Sequence, residues 1–287
     1  MLNNFIRVLP QYLVPQHGLS RFAGWVSRCR VPWIKNWIVD RFIQRYQVDM
    51  SIAAQPDPHQ YANFNSFFTR ALRADARTID PNTSVIISPV DGAISQVGNI
   101  EQNKLIQAKG FNYGVQQLVG GSKENAALFE GGKFITIYLA PKDYHRVHIP
   151  FAGRLTKMIF VPGKLFSVNP LTTSTVSDLF ARNERVVMLF ETTIGPMAVI
   201  MVGAMLVASI SIAWEGIIAP AQGNAIKEWD YSQENKQFAK GAELGHFELG
   251  STVILLFGAN AINWVNSLHE EQAVQLGQKL GEMNKTT

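Results

Sequence analysis

Cysteine is nearly absent from this chain of 287 residues, in which Cys29 stands alone. One thiol forms no disulfide within the chain, and no Cys cluster exists to hold zinc or an iron–sulfur centre. That usage fits a reducing compartment. Cys29 lies among Trp25, Arg28 and Arg30 and reads as a small interfacial residue rather than a nucleophile. Charge is scarce too. Charged residues make up 17% against 47% apolar, and the formal net charge is only +4. This composition excludes general disorder and supplies a sizeable core. The mild basic excess calls for no nucleic-acid partner. Internal repeats and low-complexity tracts are missing. Residues Met1 to Arg7 carry no uninterrupted apolar run leading to a small-residue cleavage site, so no signal peptide is expected there.

What is present is unevenly spread. Residues 1–50 hold seven Lys/Arg, only two acids (Asp40 and Asp49), and three of the six tryptophans. Phe22, Trp25, Val26 and Cys29 recur at helical spacing. After Pro32 the stripe resumes as Trp33, Ile34, Trp37, Ile38, Phe42 and Ile43. The pattern predicts helices over 20–31 and 32–47, with Pro32 starting the second. Arg28, Lys35, Arg41 and Arg45 fall largely off the stripe. Cations beside a Trp/Phe/Ile stripe suit a helix lying in a membrane interface. A helical hairpin packing the same stripe on the protein core accounts for it equally, and the segment alone leaves both open. Nothing in it is long and apolar enough to span a bilayer.

Residues 64–73 form a short helix candidate with an aromatic face. From Val85 onward, compact apolar runs rich in β-branched residues predict strands: 85–87, 134–139, 186–190 and 252–257. The fold class is α+β. A β-rich domain of antiparallel or mixed sheets over 61–287 follows an amphipathic helical segment over 1–60. Thr192 to Trp214 is 23 residues without a charge, long enough for a membrane span. Gly195-Pro196 opens it with a turn, however, and the run reads better as two buried strands, 197–202 and 206–213, bent at Gly203. The tail from Asn263 reads as a short helix with a frayed polar end.

Four segments carry candidate chemistry. They are Val90-Asp91-Gly92-Ala93-Ile94, Tyr144-His145-Arg146-Val147-His148-Ile149-Pro150, Val161-Pro162-Gly163-Lys164-Leu165-Phe166-Ser167-Val168-Asn169, and Phe247-Glu248-Leu249-Gly250-Ser251-Thr252. Each has an ordinary structural reading: a turn, a surface His pair, a loop entering a strand. An Asp, a His and a Ser together raise nucleophilic catalysis, since a hydroxyl needs an imidazole to take its proton and a carboxylate to orient that imidazole. No Gly-x-Ser-x-Gly elbow surrounds Ser251, which argues against an α/β-hydrolase. A zinc hydrolase using His145, His148 and Asp91 is an alternative, though no His-Glu-x-x-His helix is present. A non-catalytic lipid-binding protein using the basic helices is another.

Taken in order, these segments, with the N-terminal helices, residues 64–73 and Ala181-Arg182-Asn183-Glu184-Arg185-Val186, resemble the bacterial phosphatidylserine decarboxylases. Leu249-Gly250-Ser251-Thr252 before an apolar strand is similar to that family's processing signature. The resemblance implies a proenzyme that cuts itself between Gly250 and Ser251. Ser251 would be the nucleophile, His148 the general base and Asp91 the group that orients it. It implies a β chain of residues 1–250 and an α chain of 251–287, with Ser251 converted to a covalent pyruvoyl cofactor. No metal is required. His145 is then the candidate proton donor in turnover, and Phe166, Ser167 and Asn169 are candidates to meet the headgroup. The implied partners are phosphatidylserine as substrate, an anionic membrane surface, and a second copy in a homodimer. The implied location is the cytoplasmic side of the cell (inner) membrane, peripherally bound.

Overall fold

The computed structural model describes residues 7–108, 111–205, 209–219, 223–248 and 251–284. Prolines punctuate its start. Helix α1 (Pro10–Leu13) ends before Pro15, α2 (Gln16–Ser27) follows, and α3 (Pro32–Tyr46) opens on Pro32. A first-turn proline forfeits no hydrogen bond, because the first helical N–H groups lack partners anyway. Gln47 closes α3 in the left-handed conformation. Helix α4 (Phe64–Phe68) is shorter than the expected 64–73. Asn63 and Ser66 cap each other's backbone at its start, and the chain leaves helical geometry at Thr69.

Among the described residues the largest sheet has nine strands, numbered here in chain order. Its spatial order is β12 (Lys227–Asp230), β7 (Gly153–Val161), β8 (Arg185–Thr192), β9 (Gly195–Val202), β15 (Ser251–Phe257), β5 (Lys133–Leu139), β2 (Gly92–Asn99) and β17 (Ala273–Val274). The short β13 (Gln237–Phe238) also pairs with β7. A second sheet runs β11 (Gly216–Ala219), β10 (Ile210–Ile212), β14 (Glu243–Phe247), β6 (Arg146–His148). A third runs β1 (Val85–Ile87), β18 (Lys279–Met283), β16 (Ile262–Trp264), and β3 (Lys104–Ala108) pairs with β4 (Phe111–Gly114). The ladders of all four sheets are antiparallel. The fold is therefore α+β with antiparallel sheets, as expected.

The apolar runs occupy the middle of the large sheet. All seven residues of β15 are buried, as are six of eight in both β8 and β9. Continuous apolar runs suit strands covered on both faces. They join residues of the smaller sheets, among them Ile86, Val147, Ile212, Phe247 and Leu280, in one core. The uncharged stretch 192–214 supplies β9 and β10. Among the described residues no helix is long and apolar enough to cross a membrane. Residues 206–208 of the second expected strand lie outside the described residues. The tail corrects the expectation of a helix: it forms β16, β17 and β18, the last pairing with both β1 and β16.

The N-terminal hairpin is turned inside out relative to a helix packed on a core. The buried residues of α2 are Gln16, Ser20, Gly24 and Ser27. Phe22, Trp25, Trp33 and Trp37 are 60–75% exposed. The stripe on α3 divides: its tryptophans face outward, while Val39, Ile38, Phe42 and Ile43 pack with Phe64, Phe67 and Phe68 in a small second core. Lys35 was grouped with the outward cations, but it is buried. Its ammonium donates to the carbonyls of His59 and Tyr61 at 2.6 and 2.9 Å.

Candidate active site

Two antiparallel segments build the site. One leaves β5 at Leu139 and reaches His148 at the end of β6. The other runs from Glu243 along β14 to Ser251. Ser251 pairs with Leu139 at one end and Glu243 with His148 at the other. Between them, Phe247 N–H donates to the His145 carbonyl at 3.0 Å. Gly250, expected with Ser251 to form the cleavage site, lies outside the described residues, as does Leu249. Ser251 is fully buried, and its Oγ has no hydrogen-bond partner among the described residues. Buried hydroxyls ordinarily find partners, but those of Ser20, Ser209 and Thr252 are likewise unpartnered among the described residues, so Ser251 is set apart by its place at the Gly-Ser junction.

His148 is held at both ring nitrogens. Nδ1 lies 2.8 Å from the Gly241 carbonyl and Nε2 lies 3.0 Å from the Tyr144 hydroxyl. A carbonyl only accepts, so Nδ1 carries the proton and Nε2 accepts from Tyr144. Gly241 aims that carbonyl from a left-handed turn, φ 81°, which favours glycine. Burial lowers the His148 pKa, partly offset by the Gly241 carbonyl and the charge of Glu243. Near neutral pH the ring is therefore an unprotonated base. Burial also raises the Tyr144 hydroxyl far above its ordinary value, so it stays a donor.

Asp91 is near this histidine but not bonded to it. Its carboxylate accepts from Arg77 at 2.9 and 2.5 Å and from the Leu276 N–H at 2.8 Å. Its action on His148 is a weak long-range charge effect. Gly92, read as half of an Asp-Gly turn, instead begins β2 where the strands approach closely. A Cβ there would lie 2.4 Å from the Tyr138 carbonyl oxygen. Asp91, Arg77, Arg70, Tyr138, Asp143 and Tyr144 line a cleft of about 530 Å³. Burial raises the Asp143 pKa, against a backbone N–H from Ala140 that lowers it.

His145 is fully buried and stacks on Phe68, ring centroids 4.1 Å apart. Its ring nitrogens have no partner of good hydrogen-bond geometry among the described residues. Burial, then the charge of Arg70, drives its pKa to about 3, with the Pro141 and Ala140 carbonyls opposing in part. His145 is therefore neutral at neutral pH. Phe166 is buried, its N–H bonded to the Asn183 side chain. Asn169 caps the short helix Pro170–Thr173 through Thr172. The Ser167 hydroxyl meets only a long 3.5 Å contact from Asn169 N–H.

His145, His148 and Ser251 lie on two paired segments, with Ser251 opposite Leu139 at one end and His148 opposite Glu243 at the other, and Asp91 lies in the flanking cleft. No group of three His, Cys, Asp or Glu able to hold a metal occurs among the described residues, so the zinc alternative loses its ligand set. Sequence reasoning did not assign Tyr144, Arg77 or the Gly241 carbonyl. Tyr144 stood inside the quoted motif. No spacing pattern joins Arg77 or Gly241 to their partners.

Comparison with known proteins shows the family. Residues 64–282 match the family model for phosphatidylserine decarboxylase, and residues 6–47 match a model described as PSD. The chain belongs to the phosphatidylserine decarboxylase family and is a decarboxylase, a carboxy-lyase. It is 53% identical over 278 residues to the phosphatidylserine decarboxylase proenzyme of Azotobacter vinelandii (strain DJ / ATCC BAA-1303), covering 96% of this chain and 97% of that one. It is 51% identical to the proenzyme of Ectopseudomonas mendocina (strain ymp), covering 96% of each. Identity to the Marinobacter nauticus (strain ATCC 700491 / DSM 11845 / VT8) proenzyme is 50%, with 96% and 97% covered.

Proposed function

We propose that the chain cuts itself between Gly250 and Ser251, and that a pyruvoyl group formed from Ser251 then serves the decarboxylation of phosphatidylserine to phosphatidylethanolamine and CO2. The observation that carries this is the orphaned, fully buried Ser251 hydroxyl at the start of β15. His148 Nε2, unprotonated, takes the Oγ proton as Oγ attacks the Gly250 carbonyl carbon. The peptide C–N bond breaks, and the Ser251 nitrogen receives a proton, which leaves an ester. Loss of the Ser251 α-proton expels the Gly250 carboxylate. Water then replaces the nitrogen, releasing ammonia and leaving the keto group. The products are a β chain of 1–250 and an α chain of 251–287.

When formed, the pyruvoyl group supplies a carbonyl that takes up the electron pair released with CO2. His145 is the proposed donor to the carbanion; because burial keeps its ring neutral, the role requires it to take up a proton when substrate enters before passing it on. The Ser167 hydroxyl, with Phe166 and Asn169 fixing its loop, is the headgroup contact. Asp91 supports His148 by charge, tempered by Arg77. The two-part organisation follows: residues 1–60 dock on the anionic inner face of the cell membrane, where a two-chain lipid stays, and 61–287 carry out the chemistry. The processed pair assembles as a homodimer, in keeping with the family resemblance.

The test is a denaturing gel with intact masses. Wild type should release a small C-terminal fragment with a blocked, carbonyl-reactive N-terminus. Ser251→Ala and His148→Ala should remain whole at 32.0 kDa. His145→Ala should be cut yet release no CO2. A wild-type chain that stays whole with membranes present rejects the reading, and equal cleavage defects in the two histidine variants reject the division of roles.

A further inference from the structure

Glu248 is the last described residue before the Gly250–Ser251 bond, and its side chain is only 5% exposed. Its N–H is tied to the Ser209 carbonyl at 3.0 Å. Its carboxylate accepts from a residue 220 positions away, Arg28, whose Nη2 lies 2.9 Å from Oε2. Arg28 is the C-cap of α2, between the exposed Trp25 and Trp33. The pair therefore joins the turn of the aromatic hairpin to the segment leading into β15. The same hairpin reaches the other side of the site. Phe42 of α3 packs edge-on against Phe68, centroids 5.8 Å apart, and Phe68 stacks on His145.

A carboxylate this buried is poorly tolerated without its cation. Glu248 also has little freedom relative to Ser251, because three extended residues reach at most about 10 Å. Whatever fixes Glu248 limits where the Gly250 carbonyl sits before Ser251 Oγ, and such reactions lose rate steeply with displacements near 1 Å.

We propose that Arg28 and Glu248 are a positioning pair for chain cleavage, through which the aromatic hairpin sets the rate of the cut. The proposal rests on the cleavage reading above. Freshly synthesised full-length chains are followed on a denaturing gel: wild type, Arg28→Ala, Glu248→Gln, and the reciprocal double variant Arg28→Glu/Glu248→Arg. Both single variants should slow cleavage about tenfold and to a similar degree. The reciprocal pair should restore most of the rate, which a merely damaged fold would not allow. Sedimentation of Glu248→Gln with phosphatidylglycerol vesicles should match wild type, because the tryptophans and arginines of the hairpin are untouched. Single variants cut at the wild-type rate overturn the pair. So does a reciprocal variant as slow as the single ones, or a defect confined to Arg28→Ala. A wild-type chain that is never cut overturns the cleavage reading itself, and the pair with it.

Discussion

At pH 7 the imidazole of His145 is neutral because burial and Arg70 push its pKa to about 3 from an ordinary 6.5. The unfolded chain meets no such penalty. Between pH 6.5 and 3 the unfolded state therefore binds a proton that the folded state refuses, and stability falls as pH falls. The contribution is complete above pH 6.5 and is lost progressively down to about pH 3. By pH 5 it amounts to about 2 kcal/mol from this residue. His148 acts in the same direction through its own lowered pKa, and the raised Asp143 opposes both. Urea midpoints measured at pH 7 and pH 5 in a Ser251→Ala background, which removes the cut, should show the loss. His145→Phe keeps a ring against Phe68 and removes the titration, so its midpoint should fall less over the same interval. Equal falls would mean that His145 does not titrate as its burial requires.

At the level of elements, the join between β2 and β5 sets the position of Asp91. A Cβ on Gly92 would lie 2.4 Å from the Tyr138 carbonyl oxygen and 2.9 Å from Ile137 Cγ2, and a backbone oxygen inside a ladder has little room to yield. Gly92→Ala should cost about 1–3 kcal/mol of stability in urea titration. It should also slow cleavage, because Asp91 moves with the strand. An alanine variant as stable as wild type would show that β2 shifts without strain. The sequence revealed this region only in outline. Asp91-Gly92 was visible as a pair, but as a turn, because a close strand approach leaves no periodic trace. The interior strands were legible because they are unbroken apolar runs. The tail strands were not: β18 is Lys279–Met283, with only Leu280 and Gly281 buried, and its strand state comes from pairing with β1 and β16. Among candidate site residues, Ser251 and the histidines were visible through the family resemblance. The Arg77–Asp91 pair was not, since it is a tertiary contact across an irregular segment.

For the whole molecule, the deciding feature is which way the hairpin faces. The sequence left membrane docking and core packing open, because both need an aromatic stripe. Small and polar residues of α2 lie inward and the tryptophans outward, an arrangement that gains nothing from folding alone and favours an apolar surface beyond the protein. Trp is suited to the headgroup boundary, and Arg21, Arg30 and Arg41, all exposed, add attraction to anionic lipid. Burial of one large apolar side chain is worth roughly 1.5–3 kcal/mol. Trp25→Ala, Trp33→Ala and Trp37→Ala should each therefore weaken sedimentation with phosphatidylglycerol vesicles by about tenfold, allowing for partial insertion. The triple variant should lose binding, while thermal unfolding of each stays near wild type because the rings are exposed. Lys35→Ala should behave oppositely. Its ammonium serves His59 and Tyr61 inside the protein, so stability should drop with little change in vesicle affinity per folded molecule. A triple tryptophan variant that binds vesicles like wild type would return the hairpin to a structural role and leave its exposed rings to cover a protein surface instead.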